Sequence, residues 1–261
     1  MFTAQNNQGA TMLAIIGGTG LSELRDFEQL EKIAIKTPYA RAKVRLARMS
    51  VDEKEFIFLP RHGEGHKIPP HEINYRANIA ALGELGVTEI VAVNAVGGIH
   101  GDLLPGSVAV PDQIIDYSHS RDASFFDGKL QALHHIDFTH PYTESLRLRI
   151  LEAAQLANQK TNAGCEIMAG GTYACMQGPR LETAAEIRRL AKDGCDMAGM
   201  TGMPEAALAR ELAIDYASLA LSVNWGAGLT DEPITLADIH AVLDKGMVFV
   251  SAVLSETVRL S

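Results

Sequence analysis

Between Phe58 and Tyr75 the chain reads FLPRHGEGHKIPPHEINY. Arg61, His62, His66, Lys67 and His71 crowd one stretch that Gly63, Gly65, Pro69 and Pro70 interrupt. So many cationic or titratable donors on an irregular segment have three readings: an anion site, a metal site, or a solvated basic loop. Arg61 offers a rigid donor fork matched to oxyanions, and His62 follows it directly where the apolar run FIFLP ends, which favours the anion. His62 and His66 stand four apart with Glu64 between them, the spacing of a metal pair on a helix. Two glycines and the preceding proline argue against a helix there, so a zinc hydrolase is the weaker reading.

A second candidate is IIGGTGL, residues 15 to 21. From Gly18 the spacing begins as a dinucleotide fingerprint, but Glu23 stands where the third glycine belongs, and no acidic strand end follows at the expected distance. A glycine turn that exposes backbone N–H groups and the Thr19 hydroxyl to a phosphate fits better. Similar residues recur along the chain at the ends of apolar runs: Asn94-Ala95, Gly178-Pro179-Arg180-Leu181-Glu182, Met200-Thr201-Gly202 and Asn224. Small residues with hydrogen-bonding groups repeat where a strand-end ligand would lie.

The elements that must position them alternate between strand and helix patterns. MLAIIGG and VTEIVAVNAVGG read as buried strands ending in glycine pairs, and KVRLARM and KEFIFLP as paired strands of a meander. GSVAVPDQIIDY, GGTYACMQGPR, CDMAGM and DYASLALSVN read as further extended segments. NYRANIAALGELG is helical with a stop at Gly86, ESLRLRILEAAQLANQK is amphipathic, and ETAAEIRRLAKDG, PEAALARELA and the C-terminal TLADIHAVLDKGMVFVSAVLSETVRL are helices. With no linker, repeat or low-complexity segment, this alternation predicts one α/β domain over residues 12–261, with a central mixed β-sheet flanked by helices. Residues 1–11 are expected to be a disordered tail.

Composition narrows the function classes. Of 261 residues, 47% are apolar and 21% charged, ordinary for a soluble globular protein. No apolar run reaches membrane-span length, and the N-terminus lacks the basic region of a secretory signal, so a cytoplasmic protein without membrane contact is expected. Cys165, Cys175 and Cys195 are too few and too scattered for a disulfide framework, and are expected to be reduced thiols. A net charge of −9 with no basic stripe argues against nucleic acid as partner. A small anionic substrate remains open, provided a local cluster holds it against the global field.

GGTGL, RHGEGH, NYRANIAAL, VNAVGGI, QGPRLETAAE and GMTGMPEAALARE occur in this order. Together they resemble the trimeric purine nucleoside phosphorylase and methylthioadenosine phosphorylase family, from about Leu13 to the C-terminal helix. The resemblance implies phosphorolysis of a purine nucleoside to free purine and a ribose 1-phosphate. It implies a homotrimer, no metal and no cofactor, with inorganic phosphate as co-substrate. It implies a phosphate site of Thr19, Arg61, His62, Asn94, Ala95 and Thr201, with Met200 against the ribose. It gives Lys67 and His71 no role.

Two positions bear on the base. Family members for 6-oxopurines use a glutamate and an asparagine, and the resemblance puts Glu182 and Asn224 there; Gly226 occupies the second aspartate position of the 6-aminopurine enzymes. The chemistry agrees: hypoxanthine and guanine carry N1–H, which a carboxylate accepts, whereas adenine N1 is itself an acceptor. Asn224 can donate to O6 or N7 as negative charge builds on the leaving base. Glu182, Asn224 and His62 are therefore the expected catalytic residues. Where the family stacks a phenylalanine on the purine, Leu181 stands. Where inosine and guanosine enzymes place a histidine for the 5′-hydroxyl, Leu236 stands, with His240 about one turn later; an apolar residue there suits a 5′-methylthio group. His135, in HHIDFTHPY, is the candidate to reach across from a neighbouring subunit. The expected substrate is S-methyl-5′-thioinosine; inosine and guanosine, or methylthioadenosine, are the alternatives.

Overall fold

The computed structural model describes residues 11–21, 27–126 and 134–261. The expected N-terminal tail therefore lies outside the described residues except for Thr11. The first strand, β1 (Leu13–Gly17), is buried throughout. β2 (Glu28–Ile35), β3 (Val44–Val51) and β4 (Lys54–Pro60) form an antiparallel meander whose last strand returns parallel to β1. α1 (Tyr75–Glu84) is opened by the Asn74 side chain, which accepts from Ala77 N at 2.9 Å. It stops before Gly86, whose φ of +74° suits glycine.

Next come β5 (Glu89–Gly98), β6 (Val108–Ala109), β7 (Gln113–Asp116) and α2 (Glu144–Thr161). β8 (Ile167–Met168), β9 (Thr172–Cys175), α3 (Ala184–Lys192), β10 (Met197–Gly199) and α4 (Glu205–Glu211) follow. β11 (Asp215–Trp225) and α5 (Leu236–Arg259) close the chain.

All the strands belong to one mixed sheet, ordered β2-β3-β4-β1-β5-β10-β9-β7, with β11 also pairing β5 and leading to β6 and β8. Successive residues of β1 and β5 are buried on opposite faces, which is why they read as continuous apolar runs rather than as alternation. Leu13, Ile15, Val91 and Val93 pack with α2 and α5. Ala14, Ile16, Ile90 and Ala92 pack with α1 and α4. Among the described residues no helix is long and apolar enough to cross a membrane.

The feature that makes the site is a gap. β1 pairs with β5 from Glu89 to Ala92, and β10 takes the same edge in the opposite direction at Gly97 and Gly98. Between them, Val93 to Val96 have no strand on that edge among the described residues. The sheet opens there, on the stretch that carries Asn94 and Ala95.

Candidate active site

Three segments meet at the gap. The turn after β1 comes close because Gly17 and Gly18 have no side chains. A Cβ on Gly17 would fall 2.2 Å from the Leu21 carbonyl, and one on Gly18 would fall 2.5 Å from the Val93 carbonyl and 3.0 Å from Arg61 Nη1. Leu21 N donating to Gly18 O at 3.1 Å closes the turn and leaves Thr19 half-buried at its tip. Arg61 follows β4 directly, and its N–H donates to Gly17 O at 3.0 Å.

The Arg61 side chain then turns inward. Nε and Nη2 donate to the two carboxylate oxygens of Glu205, both at 2.8 Å, and Nη1 donates to Val93 O at 2.8 Å. Both side chains of this ion pair are sealed from solvent. Glu205 also accepts from Tyr216 Oη at 2.9 Å. Burial alone would weaken Arg61's hold on its proton, but the Glu205 charge and hydrogen bonds outweigh it and hold the guanidinium above its ordinary pKa. Three of five N–H groups are engaged, which leaves one on each terminal nitrogen.

His62 begins a turn with positive φ at Gly63, Gly65 and His66, so the segment is irregular as expected, and His62 and His66 do not sit one helical turn apart. Their rings lie together with centroids 4.1 Å apart. His62 Nδ1 is 2.8 Å from Ile68 O. A carbonyl can only accept, so Nδ1 carries the proton and Nε2 presents a lone pair. Burial, then the Arg61 charge, pull the His62 pKa down to about 4, against the opposing pull of the Ile68 carbonyl. His62 is therefore neutral near neutral pH.

This alters the expected electrostatics. The sequence suggests a cationic cluster; the structure pairs Arg61 with a carboxylate and holds His62 uncharged. Lys67 is exposed, and the Arg45–Glu64 pair beside it is solvated. Neither Arg61, compensated by Glu205, nor His62, neutral near neutral pH, contributes uncompensated positive charge here.

The depressed His62 pKa has a measurable consequence. Unfolded His62 takes a proton near its usual value of 6.5, while folded His62 refuses it down to about 4. Its contribution is thus complete above pH 6.5 and is lost progressively as pH falls toward 4. The stability difference between wild type and His62→Asn should shrink by up to about 3 kcal/mol across that window. Urea melts at several pH values measure it; a difference that stays constant with pH would show that His62 charges freely in the fold.

Asn94 and Thr201 are joined. Asn94 Nδ2 donates to Thr201 Oγ1 at 2.7 Å, and Ser218 Oγ donates to Asn94 Oδ1 at 2.6 Å, all within the buried interior. Because Thr201 Oγ1 accepts from Asn94, its own hydrogen is available to an acceptor in the gap. Ala95 is next along β5 and half-buried.

The remaining expected residues lie toward the far end of β5. β11 slips register between Ser222 and Asn224, a bulge that re-aims Asn224 opposite Gly97. Asn224 Nδ2 donates to the Trp225 carbonyl at 2.6 Å, leaving Oδ1 and a second N–H. Met200 lies against the Gly178 turn, where a Cβ would meet its Sδ at 2.6 Å. That turn leads through Leu181 and Glu182 to Thr183, whose side chain and Glu186 form the capping box that starts α3. Glu182 lines a cavity of about 440 Å³ with Tyr117, His119, Gln177 and Gly178. Burial raises its pKa. The start of α3 packs on the segment after Asn224, with Ala184 against Gly228 and Ile187 against Gly226.

Other expected residues stand apart within one chain. Leu181 is 41% and Leu236 71% exposed, and His135 and His240 are also exposed. Leu236 therefore forms no apolar pocket by itself, because it opens α5 on the solvent side. Glu205, Tyr216 and Ser218 are the residues sequence reading missed. Glu205 reads as an ordinary acid in a helix's first turn, and only Pro204 and the apolar run behind it hint at burial.

Residues 12–259 match the phosphorylase superfamily. The chain is 48% identical to a probable S-methyl-5′-thioinosine phosphorylase of Pseudomonas syringae pv. tomato over 96% of its length and all of that protein. It is 42% identical to a 6-oxopurine nucleoside phosphorylase of Pyrococcus furiosus over 89% of this chain and 86% of that one. Among solved structures, methylthioadenosine phosphorylase from Schistosoma mansoni in complex with adenine superposes with a TM-score of 0.89 at 31% identity, covering 96% and 91% of the two chains.

Proposed function

Because the chain belongs to the phosphorylase superfamily, we propose that it cleaves the N-glycosidic bond of a 6-oxopurine nucleoside with inorganic phosphate, with S-methyl-5′-thioinosine as preferred substrate. The products are hypoxanthine and 5-methylthioribose 1-phosphate. The observation that carries this reading is the junction of the Gly18–Thr19 turn, Arg61-His62 and the Ser218–Asn94–Thr201 chain at the gap beside β5. Asn224 lies opposite Gly97, just beyond the gap, and the helix start that follows Glu182 touches the segment that follows Asn224. The names of the bacterial and archaeal relatives support the same chemistry.

Breaking the bond builds positive charge on the sugar, and a phosphate dianion beneath it stabilises that charge before attacking the anomeric carbon. Thr19, the Thr201 hydroxyl and the backbone at Ala95 donate to phosphate oxygens. His62 Nε2 accepts from the phosphate that still carries a proton, a role only a neutral imidazole fills. The two unpaired N–H groups of Arg61 suit a tetrahedral oxyanion, and reaching them requires the Gly18–Thr19 turn or the His62 loop to move aside. Glu182 accepts N1–H, Asn224 donates to the leaving base, and Met200 packs on the ribose. No metal or cofactor takes part.

Leu236 packs on the methylthio group once the 5′ end is covered. A homotrimer supplies that cover, with His135 of a neighbouring copy closing over it and Leu181 laid on the purine. A second reading, inosine and guanosine phosphorylase, is favoured by the exposure of Leu236 and by His240 one turn further along α5.

A substrate panel tests these readings: methylthioinosine, methylthioadenosine, inosine, guanosine and adenosine, with and without phosphate. Methylthioinosine should lead inosine by roughly ten- to two-hundred-fold, the worth of one small apolar group in a pocket. Inosine in first place would move the 5′ assignment to His240. Methylthioadenosine in first place would overturn the base assignment, and cleavage indifferent to phosphate would indicate a nucleosidase.

A further inference from the structure

Arg121, in the segment after β7, has no carboxylate within ion-pair distance among the described residues, yet its guanidinium is fully engaged. Nε donates to Gln177 Oε1 at 3.2 Å. Nη1 donates to the Met203 carbonyl and, at 3.3 Å, to Tyr75 Oη. Nη2 donates to the carbonyls of Met176 at 3.2 Å and Gln177 at 2.9 Å. The guanidinium carbon also lies 5.3 Å from the centre of the Tyr75 ring. A guanidinium has five N–H groups, and here each nitrogen has as many acceptors as hydrogens. Arg61 differs, since two of its N–H groups have no partner among the described residues.

Apart from Tyr75 on α1, the acceptors belong to two segments of opposite duty. Met176 and Gln177 follow β9 and lead through Gly178 to Leu181 and Glu182, the base side. Met203 follows Met200 and Thr201 and leads to Glu205, the sugar and phosphate side. β9 and β10 pair only as far as Cys175 and Gly199, so beyond those residues the ladder no longer spaces the segments. Residues of β9 and β10 add four bonds across this opening: Met176 N to Gly199 O at 2.7 Å, Thr201 N to Tyr173 Oη at 3.3 Å, Met203 N to Cys175 Sγ at 3.2 Å and Cys175 Sγ to Met203 O at 3.7 Å; none of them reaches Gln177.

We propose that Arg121 is a positioning residue that ties the base-side segment to the phosphate-side segment, so that nucleoside and phosphate are held at the separation the displacement needs. The proposal rests on the phosphorolysis reading. Reacting atoms must approach within about 3–3.5 Å, and a misplacement of about 1 Å costs on the order of a hundred-fold in rate. Its donors are saturated, so Arg121 acts through the carbonyls it holds rather than on a ligand. A lysine presents three N–H groups from one nitrogen and cannot span acceptors on both segments and Tyr75.

The test compares wild type, Arg121→Lys and Arg121→Ala, with kcat referred to sites titrated by a tight-binding purine ligand. Arg121→Lys should keep a cooperative thermal transition and lose about ten- to a hundred-fold in kcat. Guanidinium chloride at sub-denaturing concentration should restore part of the Arg121→Ala rate, while sodium chloride at equal ionic strength should not. Either variant turning over at the wild-type rate per site would overturn the proposal. So would a loss that only mirrors the unfolded fraction and that guanidinium does not relieve. A wild-type protein with no phosphate-dependent cleavage would remove the phosphorolysis reading itself, and the proposal with it.

Discussion

Glu205→Ala should cost the fold about 3–5 kcal/mol, because it strands a guanidinium that has no access to water. Arg61 is 1% exposed and Glu205 0%, and two of the three bonds that hold Arg61 go to this carboxylate. Tyr216 loses its acceptor in the same step. Replacing both charges should undo most of the damage: Arg61→Met with Glu205→Leu trades a buried ion pair for apolar packing, an exchange that is often neutral. That double variant separates two roles. If Arg61 serves phosphate as proposed, the repaired protein is stable and still loses about one to two decades in kcat/KM for phosphate, the worth of a charged hydrogen bond. Urea melts and phosphate kinetics on the same preparations decide it. A single variant within about 0.5 kcal/mol of wild type would mean that water reaches the pair, and a repaired variant with unchanged phosphate kinetics would confine Arg61 to the core.

Why the sequence discloses some of these residues and conceals others follows from the physics of each. The strand-end pattern is legible because a ligand needs small residues and hydrogen-bonding groups where apolar runs stop, and Gly17-Gly18-Thr19, Arg61-His62 and Met200-Thr201 carry both signals; Asn94-Ala95 departs from it, since both residues lie within β5 and are reached only because the sheet opens beside them. β1, β5 and β11 are legible as largely apolar runs buried on two faces, broken in β5 by Asn94 and in β11 by Ser218 and Ser222. β2 is not read from EQLEKIAI, because an edge strand shields itself with charge and here exposes nearly every residue. Glu205 and Ser218 escape for a different reason. Their roles come from partners 144 and 124 residues away, and beyond Pro204 and the apolar run behind it little local distinguishes a helix-opening glutamate in water from one under a guanidinium. The charge state of the cradle is hidden likewise: Arg61 and His62 look cationic as letters, while burial and pairing leave one compensated and the other neutral. The gap beside β5 is visible only in three dimensions, since it depends on β1 and β10 approaching one edge from opposite directions.

Discrimination between oxopurine and aminopurine should rest on Glu182 far more than on the segment after β11. Burial raises the Glu182 pKa, so its ionised form gains from a donor that the N1–H of hypoxanthine supplies and adenine does not. Glu182→Gln keeps the shape and changes the logic, because an amide can either accept from N1–H or, turned over, donate to an adenine N1. The variant should lose about ten- to a hundred-fold on methylthioinosine, the worth of one charged hydrogen bond, and gain on methylthioadenosine. The ratio of their kcat/KM values should thus compress by roughly a hundred-fold or more. Gly226→Asp, the substitution that the 6-aminopurine enzymes suggest, should gain nothing for adenine alone. A Cβ at 226 would sit 3.0 and 3.1 Å from two carbons of Ile187, a fully buried residue of α3, and 3.3 Å from the Gly98 carbonyl. The helix start that carries Glu182 would have to move before the new carboxylate could face a base. Ile187→Ala opens that space, so Gly226→Asp should lower kcat/KM for both substrates in the wild-type background and lower it less beside Ile187→Ala. Steady-state kinetics on the single and double variants measure both effects. An unchanged preference in Glu182→Gln would place the selective contact elsewhere, and an aminopurine enzyme produced by Gly226→Asp alone would show that α3 yields freely.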